Sequence, residues 1–134
     1  MKIEAALTAI KEKFEIAGKS KIFEVKTGLF DRGFEDVSLI LYEENGEAYI
    51  NDGAEVANGI GCDLNESELK TIAKAFGFYL EDWHIVKKIE SVYDIESFIA
   101  LYMHIQANYD KCHIFFSNYV LFCKFIRSKN VQPR

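Results

Sequence analysis

Residues 36–51 read DVSLILYEENGEAYIN, and this stretch decides the fold. Val37, Leu39 and Leu41 alternate with their neighbours, the period of a strand that buries one face. Ile40 and Tyr42 lie on the other side, so that face too is expected to have partial cover. Asn45-Gly46 tolerates positive φ at both central positions of a type I′ turn. Glu47 to Asn51 then returns as a partner strand. The expectation is a β-hairpin, Asp36 to Glu43 against Glu47 to Asn51.

Working toward the N-terminus, Ile22 to Lys26 reads as a further strand, with Phe23 and Val25 alternating with Glu24 and Lys26. Thr27 to Glu35 reads as a loop holding two glycines and the charged pair Asp31 and Arg32. Met1 to Ala17 reads as an amphipathic helix. Its Ile3, Ala6, Leu7, Ile10, Phe14 and Ala17 recur at spacings of three and four, and Gly18 is placed to end it.

Working toward the C-terminus, Asp52-Gly53 closes the hairpin, and Ala54 to Ile60 forms a short helix or turn. Asn65 is a good N-cap, and Glu68 can complete a capping box with it. That helix carries Leu69, Ile72, Ala73 and Phe76 on one face and ends near Gly77. Trp83 to Ile89 reads as a fourth strand, with Trp83, Ile85 and Ile89 facing one way. Ser91 and Asp94 open a last helical region with a broad apolar face, broken around Asn108 to Asp110. Beyond it, apolar residues from Cys112 to Ile126 would cover every side of a helix, which must then be enclosed by its own domain or by another chain.

The predicted class is α+β: a small, mostly antiparallel sheet of about four strands packed against N-terminal and C-terminal helices. Residues 1–110 form the domain, and 111–134 an apolar, basic C-terminal helix or extension. A chain of 134 residues that is 49% hydrophobic can bury a core without staples.

Charge is unevenly placed. The net value is −5, yet residues 1–110 hold all 21 acids and 11 of the 16 basic residues, a balance of −10. Residues 111–134 hold no acid and five basic residues, Lys111, Lys124, Arg127, Lys129 and Arg134. An acidic body argues against general nucleic-acid binding, because phosphate contacts need a basic surface. No apolar leader and no membrane-length run is visible, so a cytoplasmic location with no membrane partner is expected. The odd set Cys62, Cys112 and Cys123 has no framework spacing and reads as reduced thiols.

No catalytic residue, metal ligand or cofactor is predicted. His84, His104 and His113 are scattered, and no CxxC, HExxH or HxxxH spacing occurs. Glu24-Val25-Lys26 has the Glu-x-Lys form of metal-dependent nucleases, in which a carboxylate holds Mg²⁺ and a lysine stabilises charge at the phosphate. That pattern needs an acid on an earlier strand, whereas only a helix is expected to precede. Gly59-Ile60-Gly61 lacks the third glycine of a phosphate cradle and reads as a turn. Asp52 is expected to cap the turn after it, accepting hydrogen bonds from free N–H groups.

The ordered features from Phe23 to about Gln106 carry a resemblance. Phe23-Glu24-Val25-Lys26-Thr27 leads into Phe30-Asp31-Arg32. The apolar strand Val37 to Tyr42, the strand end Ile50-Asn51-Asp52-Gly53, a capped helix, His84-Ile85-Val86 and a final helix follow. This arrangement resembles the domain-of-unknown-function 1828 family of bacteria, phages and prophages. The resemblance implies a fold and a mobile-element setting, and no activity. Where that family shows two aspartates before the glycine, Asn51 replaces the first.

The expected function is therefore a non-enzymatic protein-interaction domain, phage- or prophage-borne, acting as an inhibitor of a host defence or nucleic-acid-handling protein. Its working surface would be the exposed side of the hairpin with the Asp31 loop, and its partner-binding residues Asp31, Arg32, Asp52 and Glu55. A homodimer would form through Phe115, Phe116, Tyr119, Phe122 and Phe125, because aromatic anchors dominate such contacts. The alternatives are a nuclease-like enzyme using Glu24, Lys26 and Asp52, or a DNA-binding regulatory module using Lys124, Arg127 and Lys129.

Overall fold

A computed structural model describes residues 1–19, 21–31 and 33–110. The elements run α1 (Ile3–Lys11), β1 (Glu15–Lys19), β2 (Ile22–Phe30), β3 (Asp36–Glu44), β4 (Glu47–Asn51), α2 (Glu55–Asn58), α3 (Glu66–Ala75), β5 (Tyr79–Glu81), β6 (His84–Lys88) and α4 (Tyr93–Tyr109). All the strands join one antiparallel sheet in the order β1-β2-β3-β4-β6-β5. The class is α+β as expected, with six strands among the described residues in place of about four.

The β3–β4 hairpin forms as read. Asn45 and Gly46 adopt φ of 52° and 79°, both positive as a type I′ turn demands. The expected loop from Thr27 is shorter than predicted, because β2 continues to Phe30 across an irregularity between Lys26 and Phe30. Thr27 is buried there, and its hydroxyl donates to the Val37 carbonyl at 2.6 Å.

The two strands that sequence reading missed have identifiable causes. The first helix ends at Lys11, and Glu15–Lys19 pairs along β2. Phe14 and Ala17 continue the helical spacing by coincidence, and the free edge of β2 draws the chain into a strand. Gly18 stands inside β1 at φ +121°, where a Cβ would lie 2.6 Å from the Ile22 carbonyl oxygen. Glycine is required at that point by the tight β1–β2 turn, not by a helix end. The second miss is β5, joined to β6 through Asp82 and Trp83 at φ 51° and 69°. A positive-φ turn built without glycine leaves no signal in the sequence. Trp83 sits on that turn, 40% exposed, and does not share the buried face of Ile85 and Ile89.

The capping box of α3 forms as expected: the Asn65 side chain accepts from the Glu68 N–H at 2.8 Å, and the Glu68 carboxylate from the Asn65 N–H at 3.1 Å. Such a cap is worth about 1 kcal/mol. At the start of α4, Asp94 accepts from the Glu90 and Ser91 N–H groups and lies 3.4 Å from the Lys87 ammonium.

The helices cover one face of the sheet. Val25, Leu39, Leu41, Ile50 and Ile85 project toward them and are fully buried against Ala6, Ile10, Leu69, Phe98 and Tyr102. Side chains alternate along a strand, so the intervening residues form the opposite face. The cross-strand register lays that face out in rows. One runs Ala17, Glu24, Ile40, Asn51, Val86, Tyr79 across all six strands. The next runs Ile22, Tyr42, Tyr49, Lys88. No helix among the described residues packs on this face, and none is long and apolar enough to cross a membrane.

Candidate functional site

Asp52 follows β4 and turns inward, 3% exposed. One carboxylate oxygen accepts from the Ala54 N–H at 2.9 Å and the Ile85 N–H at 2.8 Å; the other accepts from the Val56 N–H at 3.1 Å. The group thus caps α2 and ties it to β6, the structural role foreseen for it. Burial pushes its carboxyl up, against the opposing pull of the three N–H groups. It has no surface to offer a partner, so the expectation that Asp52 is a partner-binding residue is corrected.

Asp31 organises the β2–β3 connection. Its Oδ1 accepts from the Gly33 N–H at 2.8 Å and the Glu35 N–H at 3.0 Å. Asp31 and Glu55 do come together, beside a shallow concavity of about 250 Å³ that they line with Gly33, Glu35, Asn58 and Gly59. Partial burial pushes the Glu55 carboxyl up, and the Asp31 charge and its side-chain contact push the same way. The acid form of Glu55 is therefore favoured by the fold, and stability falls as pH rises from the unfolded carboxyl's range through the folded one. Glu55→Gln should then raise stability at pH 7 by less than about 1 kcal/mol, because solvent screens a half-exposed pair. The gain should shrink as pH drops through 5 to 4, a trend that urea midpoints at each pH would check. Arg32 lies outside the described residues, as do Phe115, Phe116, Tyr119, Phe122 and Phe125 and the cations Lys124, Arg127 and Lys129.

Glu24, Lys26 and Asp52 do not converge. Glu24 accepts from the Ser38 hydroxyl at 2.8 Å and Lys26 faces Glu15 at 3.6 Å, both on the open face, while Asp52 is buried. A strand does precede β2 after all, but its Glu15 is opposite Lys26 in register and engaged with it. Among the described residues no group of three or more His, Cys, Asp and Glu side chains could hold a metal. Gly59 and Gly61 close α2, both donating to the Val56 carbonyl, so that G-x-G is a turn. Cys62 is exposed; Cys112 and Cys123 lie outside the described residues.

The surface that sequence reading resolved least is the open sheet face. Ile22 is 63% exposed, Ile40 37% and Tyr79 46%. Tyr42 and Tyr49 stack there with ring centroids 5.8 Å apart. Carboxylates stand among them: Glu24 on β2, Glu44 on β3 and Glu81 on β5. The phenols of Tyr42 and Tyr79 are both pushed up, first by burial and then by the charges of Glu44 and Glu81. The alternation of Ile40 and Tyr42 was the one sequence signal for this surface. No family model, no curated protein and no solved structure matches the chain.

Proposed function

We propose that this chain is a non-enzymatic protein-interaction module that docks a basic partner through the open face of its sheet. The observation that carries this reading is the combination on that face of exposed Ile22, Ile40 and Tyr79, stacked Tyr42 and Tyr49, and the carboxylates of Glu24, Glu44 and Glu81. Apolar area and aromatic anchors supply contact energy, and the carboxylates select a positively charged counterpart. The face belongs to the hairpin already implicated by sequence. A nucleic-acid-handling protein presents such a basic surface, and occupying it would inhibit that protein. The resemblance to a phage and prophage family supports a host defence or nucleic-acid-handling factor as the target, and a second copy bound through 111–134 remains part of the proposal.

The test is affinity capture of the tagged chain from bacterial lysate, with and without nuclease, beside an Ile40→Lys variant. The expected result is a stoichiometric basic protein that survives nuclease and is lost with Ile40→Lys, since a lysine at the centre of the face adds repulsion. Capture of nucleic acid alone, or of a protein indifferent to Ile40→Lys, would overturn the reading.

A further inference from the structure

His84 has a fixed tautomer, and the hydrogen bonds around Asn51 show why. The Asn51 side-chain oxygen accepts from the Gly53 N–H at 2.7 Å, which identifies that atom as the carbonyl oxygen. The same oxygen lies 2.8 Å from His84 Nδ1. Two acceptors cannot share a hydrogen bond, so Nδ1 carries the proton. In the neutral ring Nε2 then holds a lone pair and is an acceptor.

That ring lines a shallow basin of about 220 Å³ on the open face, together with Tyr42, Glu44, Asn51, Glu81 and Val86. Asp82, on the β5–β6 turn, lines it too. Glu81 is directly opposite His84 in register, and Val86, 2% exposed, forms the floor. The basin therefore offers carboxylates from two strands, an imidazole acceptor, a phenol ring backed by a second ring, and an apolar base. No cationic side chain among the described residues lines it. Its volume is below the roughly 300 Å³ at which small-molecule pockets begin, and suits one protein side chain.

We infer that this basin binds an arginine side chain of the partner, with the guanidinium over Tyr42 and its N–H groups directed to Glu44, Glu81 and His84 Nε2. The inference rests on the docking reading above and assigns the residue type that the face selects. Arginine fits better than lysine for three reasons. Its planar head stacks on an aromatic ring. Its five N–H donors match several separated acceptors, and it sheds water at lower cost than an ammonium.

The probe is acetyl-tetra-arginine amide, titrated into the isotope-labelled full chain by NMR, with acetyl-tetra-lysine amide as the equal-charge control. Shifts should concentrate at Tyr42, Asn51, His84 and Val86, with tetra-arginine binding about tenfold tighter than tetra-lysine. The exposed double variant Glu44→Gln/Glu81→Gln, which disturbs no packing, should weaken tetra-arginine by at least about tenfold. Glu12→Gln, at the end of α1 and away from the open face, should change it little. Equal affinity for the two peptides, or shifts elsewhere, would overturn the site. The two readings fail separately. A captured protein lost with Ile40→Lys but kept by Glu44→Gln/Glu81→Gln would leave the docking face standing without its arginine site. Tetra-arginine in the basin with no Ile40→Lys-sensitive partner would leave the site without the docking reading.

Discussion

Replacing Asp52 with alanine is expected to destabilise the protein by about 3–5 kcal/mol, because three buried N–H groups would lose their acceptor together. The donors belong to Ala54, Val56 and Ile85, each buried and each within 3.1 Å of the carboxylate. An unsatisfied buried N–H costs on the order of 1–3 kcal/mol, and local relaxation keeps the total below three times that. A domain of this size has roughly 5–15 kcal/mol in all, so the loss would be a large part of its stability. The melting temperature should fall by on the order of 10–15 °C. Asp52→Asn should fall between wild type and alanine. It keeps a carbonyl oxygen for Ala54 and Ile85 but turns an NH₂ toward the Val56 N–H. Urea denaturation of the three proteins gives the ranking. An alanine variant within about 1 kcal/mol of wild type would mean that other acceptors serve these donors. The proposed basin is adjacent: Asn51 precedes Asp52 and contacts His84, so loosening this corner should also blur that basin.

Phe98→Ala is expected to cost about 3–5 kcal/mol by leaving a cavity under α4. Phe98 is fully buried, edge-on to Phe78 at a centroid distance of 6.2 Å and at the same distance from Tyr102. Its neighbours are held by other contacts and cannot all collapse into the gap; the Tyr102 hydroxyl, for one, reaches the Phe30 carbonyl at 3.4 Å. Phe98→Leu keeps much of the buried area and should lose no more than about 1–2 kcal/mol. The measurement is again the urea midpoint, with the slope of the transition confirming that unfolding stays cooperative. A loss below about 1 kcal/mol for alanine would mean that α4 is not seated on the sheet as described. Phe98 lies on the helix side of the sheet, so below the unfolding transition the variant should still bind tetra-arginine. That separates damage to the core from damage to the open face.

Much of the candidate site was hard to read because it is set by which face of a strand is left bare. Asp31 and Glu55 were legible as acids near turns, and they do meet at one concavity. Asp52 was legible as a cap. The basin was not, because it gathers Tyr42, Glu44, Asn51, Glu81 and His84 from four strands. No spacing in the chain connects His84 with Tyr42; only the β3–β4–β6 pairing brings them together.

What the sequence determined by itself were features set by neighbours along the chain. The β3–β4 hairpin follows from Asn45-Gly46, the α3 start from Asn65 and Glu68, and the α+β class from the change of period between strands and helices. In each case the deciding atoms lie within a few residues of one another, so local physics is sufficient. Tertiary structure alone decided that Glu15–Lys19 leaves the helix for the sheet edge and that β5 exists. It also decided that the helices cover one face and leave Ile40, Tyr42 and Tyr79 on the other. Backbone pairing and burial between residues distant in sequence make those choices, and the energy that settles them exists only once the sheet has assembled.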